Sequence, residues 1–170
     1  CQRSPLWLSC LRLSPKGMIM EEDKIKMYAV FAKESLTKMN GNRGKLAAQA
    51  GHAYLHSYWD AQDRFGEDAY PHNFGSMAEF PLGSGHRIYK YQRMVEQYRK
   101  GPRAYKICLV VDTVDQLKEL YEAHKDLCGV SLVTDAGFTV FDEPTTTCLG
   151  IGPLADSEKT DVLKGLKLLV

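Results

Sequence analysis

Four polar residues in the first half of the chain could bind an anion or move a proton from one face of a helix. At about 100° per residue, Lys45, Gln49, His52 and His56 fall within an arc of roughly 60°. Lys45 directly follows a glycine-containing turn, so its ammonium group and the backbone amides at a helix start would both favour an anion. A plain solvated helix face is the alternative interpretation of this spacing.

Residue spacing argues against two familiar sites in this region. The phosphate loop of ATPases needs a glycine six residues before its lysine and a hydroxyl residue after it, where this chain has Met39 and Leu46. His52 and His56 could ligate zinc, but Ala53 replaces the glutamate of the HExxH motif and no third ligand is evident. We therefore expect neither a Walker-type ATPase nor a metal site.

Two further segments combine polar residues with glycines at the ends of predicted strands. Asp135 stands at the exit of a predicted buried strand, before Ala-Gly, in the segment 134–139. Such a carboxylate often only stabilises a turn by bonding to nearby backbone, but α/β sheets also place ligand-contacting groups at this position. The third segment, 145–153, predicts a strand that runs into a Gly-Pro turn.

The elements that must position these residues follow from hydrophobic periodicity, capping signals and turn residues. The sequence predicts strands over 26–31, 105–111, 130–134 and 147–151, an extended piece over 138–141, and helices over 45–59, 87–99, 113–129 and 156–169. Residues 40–44 are predicted to form a loop, and the small residues around Ala50, Gly51 and Ala53 to let the first helix pack closely on a sheet. This order predicts an α/β sandwich whose helices cover a small mixed sheet.

Composition bounds the class of protein. The chain has 170 residues, of which 44% are hydrophobic and 25% charged, and its five cysteines are scattered without a CxxC pair. Wholesale disorder, a membrane span, a disulfide framework and a zinc ribbon are therefore not expected, and a cytoplasmic location fits best. Residues 24–45 and 86–106 are basic while 112–161 is acidic, which indicates either one polyanion-binding face or solvated helix faces of uneven charge.

Two regions differ from the rest of the chain. Residues 1–20 are interpreted as an upstream translation artefact with the start at Met18 or Met20, as a transit peptide or as a short arm. Residues 24–170 are expected to form one domain that carries an insertion over 60–103. The insertion is predicted to be irregular up to 86 and then to form a basic helix, which could extend a nucleic-acid footprint, cover a sheet edge or contact another subunit.

Taken together, four segments resemble the archaeal and eukaryotic type of peptidyl-tRNA hydrolase. They are Gly44-Lys-Leu-Ala-Ala-Gln-Ala-Gly-His-Ala53, Asp135-Ala-Gly-Phe-Thr139, Thr147-Cys-Leu-Gly-Ile-Gly-Pro153 and Gly165-Leu-Lys-Leu-Leu169. The resemblance covers about 26–58 and 104–170. It implies a three-layer α/β/α sandwich around a four-stranded mixed sheet, often a homodimer, that needs no cofactor and hydrolyses the ester between a peptide or N-blocked amino acid and the terminal ribose of tRNA.

The resemblance also implies which residues act. Its functional residues match Lys45, Gln49, His52, Asp135, Thr139 and Thr147. Substrate binding is expected from Lys33, Lys38, Arg43, Gly137 and Gly152. The chain departs from the family in having Arg43 where a lysine is common, and in a longer glycine loop; a guanidinium keeps the charge but not the proton chemistry of an ammonium.

No serine or cysteine has a plausible activating partner at recognisable spacing, so direct attack by water is expected. Asp135 would position the water or act as base, oriented by Thr139 or Thr147, and Lys45 and Gln49 would stabilise negative charge. His52 is the alternative base, because histidine changes its charge nearest neutral pH. A non-catalytic polyanion-binding module and a different hydrolase or transferase on the same scaffold are the rival hypotheses.

Overall fold

The computed structural model describes residues 23–65, 84–101, 104–137 and 141–170. The strands are β1 (Ile25–Ala32), β2 (Tyr105–Val111), β3 (Val130–Asp135), β4 (Thr145–Ala155) and β5 (Lys167–Leu168), and the helices are α1 (Lys33–Met39), α2 (Arg43–Phe65), α3 (Ser84–Lys100), α4 (Val114–His124) and α5 (Asp161–Gly165). A 3₁₀ turn, Asp156–Glu158, precedes α5. None of the described helices is long and apolar enough to cross a bilayer.

The five strands form one mixed sheet in the order β3-β4-β1-β2-β5. β1 pairs in parallel with β2 and antiparallel with β4, while β3 and β5 pair antiparallel with β4 and β2. The predicted α/β class is confirmed, but the strand count of four is wrong. The fifth strand arises because Lys167 and Leu168, predicted to lie in a final helix, pair with β2 instead.

Alternating residues of the central strand β1 build a core on each side of the sheet. Tyr28 and Val30 pack in the cluster that includes Leu117 and Leu120 of α4, whereas Ala29 and Phe31 pack in the cluster that includes Met39 of α1 and Ala53 of α2. Because side chains of a strand alternate between faces, helices cover both sides of the sheet. This arrangement is the expected three-layer sandwich.

Helix α2 lies unusually close to the sheet, and glycines of the sheet permit this. A Cβ placed on Gly150 of β4 would come within 2.0 Å of the Ala53 carbonyl oxygen, and one on Gly129 would come within 2.0 Å of the Ser57 carbonyl oxygen. Gly51, which was predicted to allow this packing, is exposed and would meet nothing within 4 Å. The close approach therefore depends on glycines of the sheet and on small residues of the helix.

Several predicted bounds differ from the structure. The strand 105–111 and the Thr113–Gln116 capping box are confirmed. Helix α1 lies where no element was predicted. Helix α2 begins at Arg43, inside the predicted loop, and reaches Phe65, α4 ends at His124, and the final helix is only Asp161–Gly165. Residues 1–22, 66–83, 102–103 and 138–140 lie outside the described residues, and with them most of the predicted irregular part of the insertion and the extended piece before Phe141.

The basic helix of the insertion covers one end of the sheet. Tyr91 and Met94 of α3 are buried in a small cluster with Ile25 of β1 and Ala155 of β4, and Phe65 of α2 packs against it. Helix α3 therefore packs at the ends of the central strands β1 and β4, and the three roles that the sequence left open for it stay predictions.

Candidate active site

A cleft of about 600 Å³ opens where the first part of α2 crosses the end of β3. Its lining combines polar residues of the helix with the last residues of the strand: Lys45, Gln49, His52, His56, Leu132, Val133, Thr134, Asp135 and Ala136. This volume lies within the range of small-molecule sites, about 300–1,000 Å³. The predicted polar face of α2 and the aspartate segment therefore meet in one cavity.

The buried carboxylate of Asp135 is the centre of the polar network. Its Oδ2 accepts a hydrogen bond from Gln49 Nε2 at 2.8 Å and is ion-paired with Lys45 Nζ, and its Oδ1 accepts from the Gly137 amide at 3.0 Å. Gly137 has φ +83°, and a Cβ there would come within 2.8 Å of the Glu143 backbone, so glycine fits this turn best. The turn after β3 thus fixes one carboxylate oxygen while α2 fixes the other.

Gln49 is held from both ends of its amide group. The Thr147 hydroxyl, fully buried on β4, lies 2.8 Å from Gln49 Oε1 and 3.2 Å from the Val133 carbonyl oxygen. Because the carboxylate of Asp135 accepts only, the amide nitrogen must face it, and Oε1 must face the hydroxyl. Only 3% of Gln49 is exposed, so Gln49 is a buried link between two strands and not part of a solvated face.

The electrostatics of the site keep Asp135 ionised. Burial is the largest single influence and raises the pKa of this carboxyl, but the hydrogen bond and charge of Lys45, together with the Gly137 and Gln49 donors, outweigh it. The pKa therefore lies below its usual range. Such a carboxylate is a weak base at neutral pH and a strong anchor for cationic and N–H donors.

Lys45 occupies the third position of α2, close to its start. Its backbone amide donates to Asn42 Oδ1 at 2.9 Å, an N-cap interaction that occupies one of the amides expected to favour an anion. Its ammonium group also lies 5.8 Å from the centre of the Phe141 ring, within reach of a cation–π interaction. Only 16% of the Lys45 side chain is exposed, at the cleft.

The structure brings most of the predicted catalytic residues together. Lys45, Gln49, His52 and Asp135 line the cleft, and Thr147 contacts Gln49 from behind it. Thr139 lies outside the described residues. The sequence analysis did not identify Phe141 as a site residue. It stands two residues after the segment Asp135–Thr139, and its spacing from the other site residues follows no recognisable pattern.

The predicted substrate-binding residues are dispersed. Lys33, Lys38 and Arg43 are exposed on α1 and at the start of α2 without lining the cleft, and Lys33 Nζ pairs with Asp112 at 2.5 Å. Gly137 belongs to the site through its amide. Gly152 does not line the cleft: it is buried in β4, and its amide donates to the Gly129 carbonyl oxygen. A Cβ there would come within 2.7 Å of the Lys26 carbonyl oxygen, and the φ of +121° also favours glycine.

Within the described residues, no group of three or more His, Cys, Asp or Glu side chains could hold a metal ion. His52 and His56 are neighbours, with ring centres 5.5 Å apart, but their rings are tilted by 38° and belong to a ladder that continues to Trp59. What the arrangement offers chemically is an anionic anchor, a cation, an oriented amide and an imidazole around one cavity.

Comparison with known proteins agrees with this chemistry. The family model described as peptidyl-tRNA hydrolase PTH2 matches residues 25–169. The chain is 37% identical over 130 residues to a peptidyl-tRNA hydrolase of Methanothermobacter thermautotrophicus. The aligned region covers 75% of this chain and 88% of that protein. Proteins of the same name from Methanopyrus kandleri and Sulfurisphaera tokodaii are 33% and 30% identical, over 75% and 78% of this chain and 87% and 92% of theirs. The chain belongs to the PTH2 family of peptidyl-tRNA hydrolases.

Proposed function

We propose that this protein releases peptides or N-blocked amino acids from tRNA by hydrolysing the ester to the terminal ribose. The observation that carries the proposal is the chain of contacts Lys45–Asp135–Gln49–Thr147 at one cleft. Family membership supplies the substrate class. The cleft supplies what ester hydrolysis by water requires, which is a group to orient the water, an acceptor for its proton and donors for the developing oxyanion.

Of the two bases considered, the geometry favours His52 as the proton acceptor. Asp135 is a weak base because its pKa is lowered by Lys45 and two N–H donors. Since a carboxylate offers about four acceptor positions, Asp135 can bind these three donors within the described residues and still hold the attacking water. His52 is exposed and lines the same cleft, one turn of α2 beyond Gln49.

Lys45 and Gln49 are suited to stabilise negative charge on the ester. The ammonium group is fixed by Asp135, and the amide of Gln49 has a second N–H besides the one it gives to the carboxylate. Donors that are held in place before the reaction need little reorganisation as charge develops, which is the main source of electrostatic stabilisation of a transition state.

The deciding experiment is release of N-acetyl-amino acid from charged tRNA by the full chain, with EDTA present. We expect turnover that persists with the chelator. Binding of the tRNA without release would instead identify a non-catalytic polyanion-binding module. Turnover of small esters with no response to charged tRNA would identify a different hydrolase on this scaffold.

The choice of base is tested by the dependence of kcat on pH in wild type, His52→Ala and Asp135→Asn. We expect His52→Ala to lose the fall in rate on the acidic side together with most of the activity, because the proton acceptor is gone. Asp135→Asn should lower kcat but keep that pH dependence. A retained acidic limb in His52→Ala would refute the assignment.

Contacts with tRNA phosphates are proposed for Lys38 and Arg43, which are exposed beside the start of α2. Each phosphate contact that is lost should reduce the slope of log K against log salt by about 0.7–0.9. Lys38→Ala and Arg43→Ala are therefore expected to weaken tRNA binding and flatten its salt dependence. Lys118→Ala, at an exposed position of α4, is the control. An unchanged slope in both variants would remove these residues from the tRNA contact.

A homodimer and a cytoplasmic location are also proposed. The former is supported by the exposure of apolar side chains near the chain's end, with Val162 at 60% and Leu168 of the edge strand at 62%, and is tested by light scattering. The latter is supported by the free thiols of Cys108, Cys128 and Cys148 and is tested by cell fractionation.

A further inference from the structure

A ladder of three aromatic rings leads out of the cleft along α2. The ring centres of His52 and His56 are 5.5 Å apart, and those of His56 and Trp59 are also 5.5 Å apart, with the last two planes only 22° from parallel. His52 and His56 line the cleft, whereas Trp59 lies beyond it and is 49% exposed. Residues spaced three and four apart share one helix face, so this ladder continues the row that begins with Lys45 and Gln49.

We propose that His56 and Trp59 form a stacking platform for the unpaired nucleotides that precede the terminal adenosine of tRNA. The inference rests on the proposed function, because that function places the terminal ribose ester beside Gln49 and Asp135. The nucleotides before it must then leave the cleft along its wall. An exposed indole that is stacked on a neighbouring ring is the kind of surface on which single-stranded bases stack without sequence preference.

The dimensions of the ladder fit this occupant. Ten residues separate Gln49 from Trp59, which corresponds to about 15 Å along a helix axis. Stacked nucleotides rise by about 3.4 Å each, so this distance takes about four nucleotides, the length of a tRNA 3′ end. Trp59 is thus too far away to contact the scissile ester, but within reach of a base three or four positions upstream.

Packing among the described residues gives no reason for an exposed indole at position 59. The buried face of α2 is formed by the small residues Ala53, Ser57 and Ala61 and by Gln49, and Trp59 is not on it. Leu55, which is 44% exposed, lies on the flank of the same helix and has no place in the ladder. It therefore serves as a matched control, an exposed apolar side chain without a stacked neighbour.

The kinetic test compares two substrates, N-acetyl-aminoacyl-tRNA and N-acetyl-aminoacyl-adenosine, which lacks the upstream nucleotides. Loss of one base–aromatic stack should lower kcat/KM of Trp59→Ala on the tRNA substrate about 5- to 150-fold, with the adenosine ester changed less than about twofold. Trp59→Phe should restore most of the activity, and Leu55→Ala should change neither. Equal losses on both substrates, or no loss on tRNA, would overturn the platform.

A binding test separates this inference from the proposed activity. The chain has two tryptophans, Trp7 and Trp59, so Trp7→Phe leaves Trp59 as the single indole reporter. We expect its fluorescence to be quenched by a single-stranded RNA tetranucleotide ending in CCA, and not by a blunt RNA duplex. Quenching in a protein that releases no peptide would support the platform and refute the hydrolase. Normal peptide release with no quenching would refute the platform alone.

Discussion

Removing the hydroxyl of Thr147 tests whether the buried end of the polar chain positions the reactive end. Thr147 is fully buried, and its hydroxyl lies 2.8 Å from Gln49 Oε1. Thr147→Val keeps the branched shape of the side chain and removes only the donor. Gln49 then has a buried amide oxygen without this donor, while its nitrogen still faces Asp135.

The expected effects differ for stability and rate. A buried acceptor left without its donor costs about 1–3 kcal/mol, and this should appear as a loss in the free energy of unfolding. The orientation of the Gln49 amide loses one neutral hydrogen bond, worth about 0.5–1.5 kcal/mol. If that orientation matters only in the transition state, kcat should fall about 2- to 13-fold at unchanged KM.

The assay is steady-state release of N-acetyl-amino acid from tRNA, with urea unfolding of the same proteins. Thr147→Ser, which keeps the hydroxyl, should recover most of the rate. Thr146→Val is the control, because Thr146 directly precedes Thr147 on β4 and its hydroxyl contacts that of Thr134 at 3.4 Å instead of Gln49. Full activity in Thr147→Val, or a rise in KM at constant kcat, would refute the positioning role.

Two further predictions concern the carboxylate and the packing that carries it. Burial raises the pKa of Asp135 in the folded protein, but Lys45 and the other donors lower it by more. Ionisation of Asp135 therefore stabilises the fold above the unfolded pKa of about 3.9, and this contribution is lost as the pH falls further. The difference in unfolding free energy between wild type and Asp135→Asn should shrink from pH 7 to pH 3, and a constant difference would contradict this prediction. Gly150→Ala should destabilise the protein by about 3 kcal/mol or more, because its Cβ would meet the Ala53 carbonyl oxygen at 2.0 Å. Gly51→Ala, at an exposed position of α2, should instead stabilise the protein by about 0.5–1 kcal/mol in the same urea titration.

The sequence predicted best the elements whose signals are local. The strand 105–111 is a continuous apolar run, and the capping box at Thr113 is a four-residue pattern, so neither needs knowledge of distant residues. Helix α1 was missed because it is only seven residues long, follows β1 without a break and has no side-chain cap. Lys167 and Leu168 were assigned to a helix because their pairing with β2 is a contact between distant parts of the chain.

The composition of the site was predictable, but the state of its residues was not. Lys45, Gln49 and His52 could be placed on one helix face, and Asp135 at a strand end, from spacing alone. That Gln49 is buried depends on how α2 is rotated against the sheet, which the positions of apolar residues did not reveal. The helix buries a row of small residues that includes the polar Ser57, and such residues do not form a recognisable apolar stripe in the sequence.

This row of small residues links the fold to the chemistry. Gln49, Ala53, Ser57 and Ala61 follow one another at intervals of four, and all are buried against the sheet. Because Gly150 has no side chain, the Ala53 backbone can approach β4 closely, and one turn earlier this brings the Gln49 amide within 2.8 Å of both Thr147 and Asp135. A larger residue anywhere in the row would raise the helix and lengthen both contacts at once. The geometry of the site therefore depends as much on the absence of side-chain volume at the helix–sheet contact as on its polar residues.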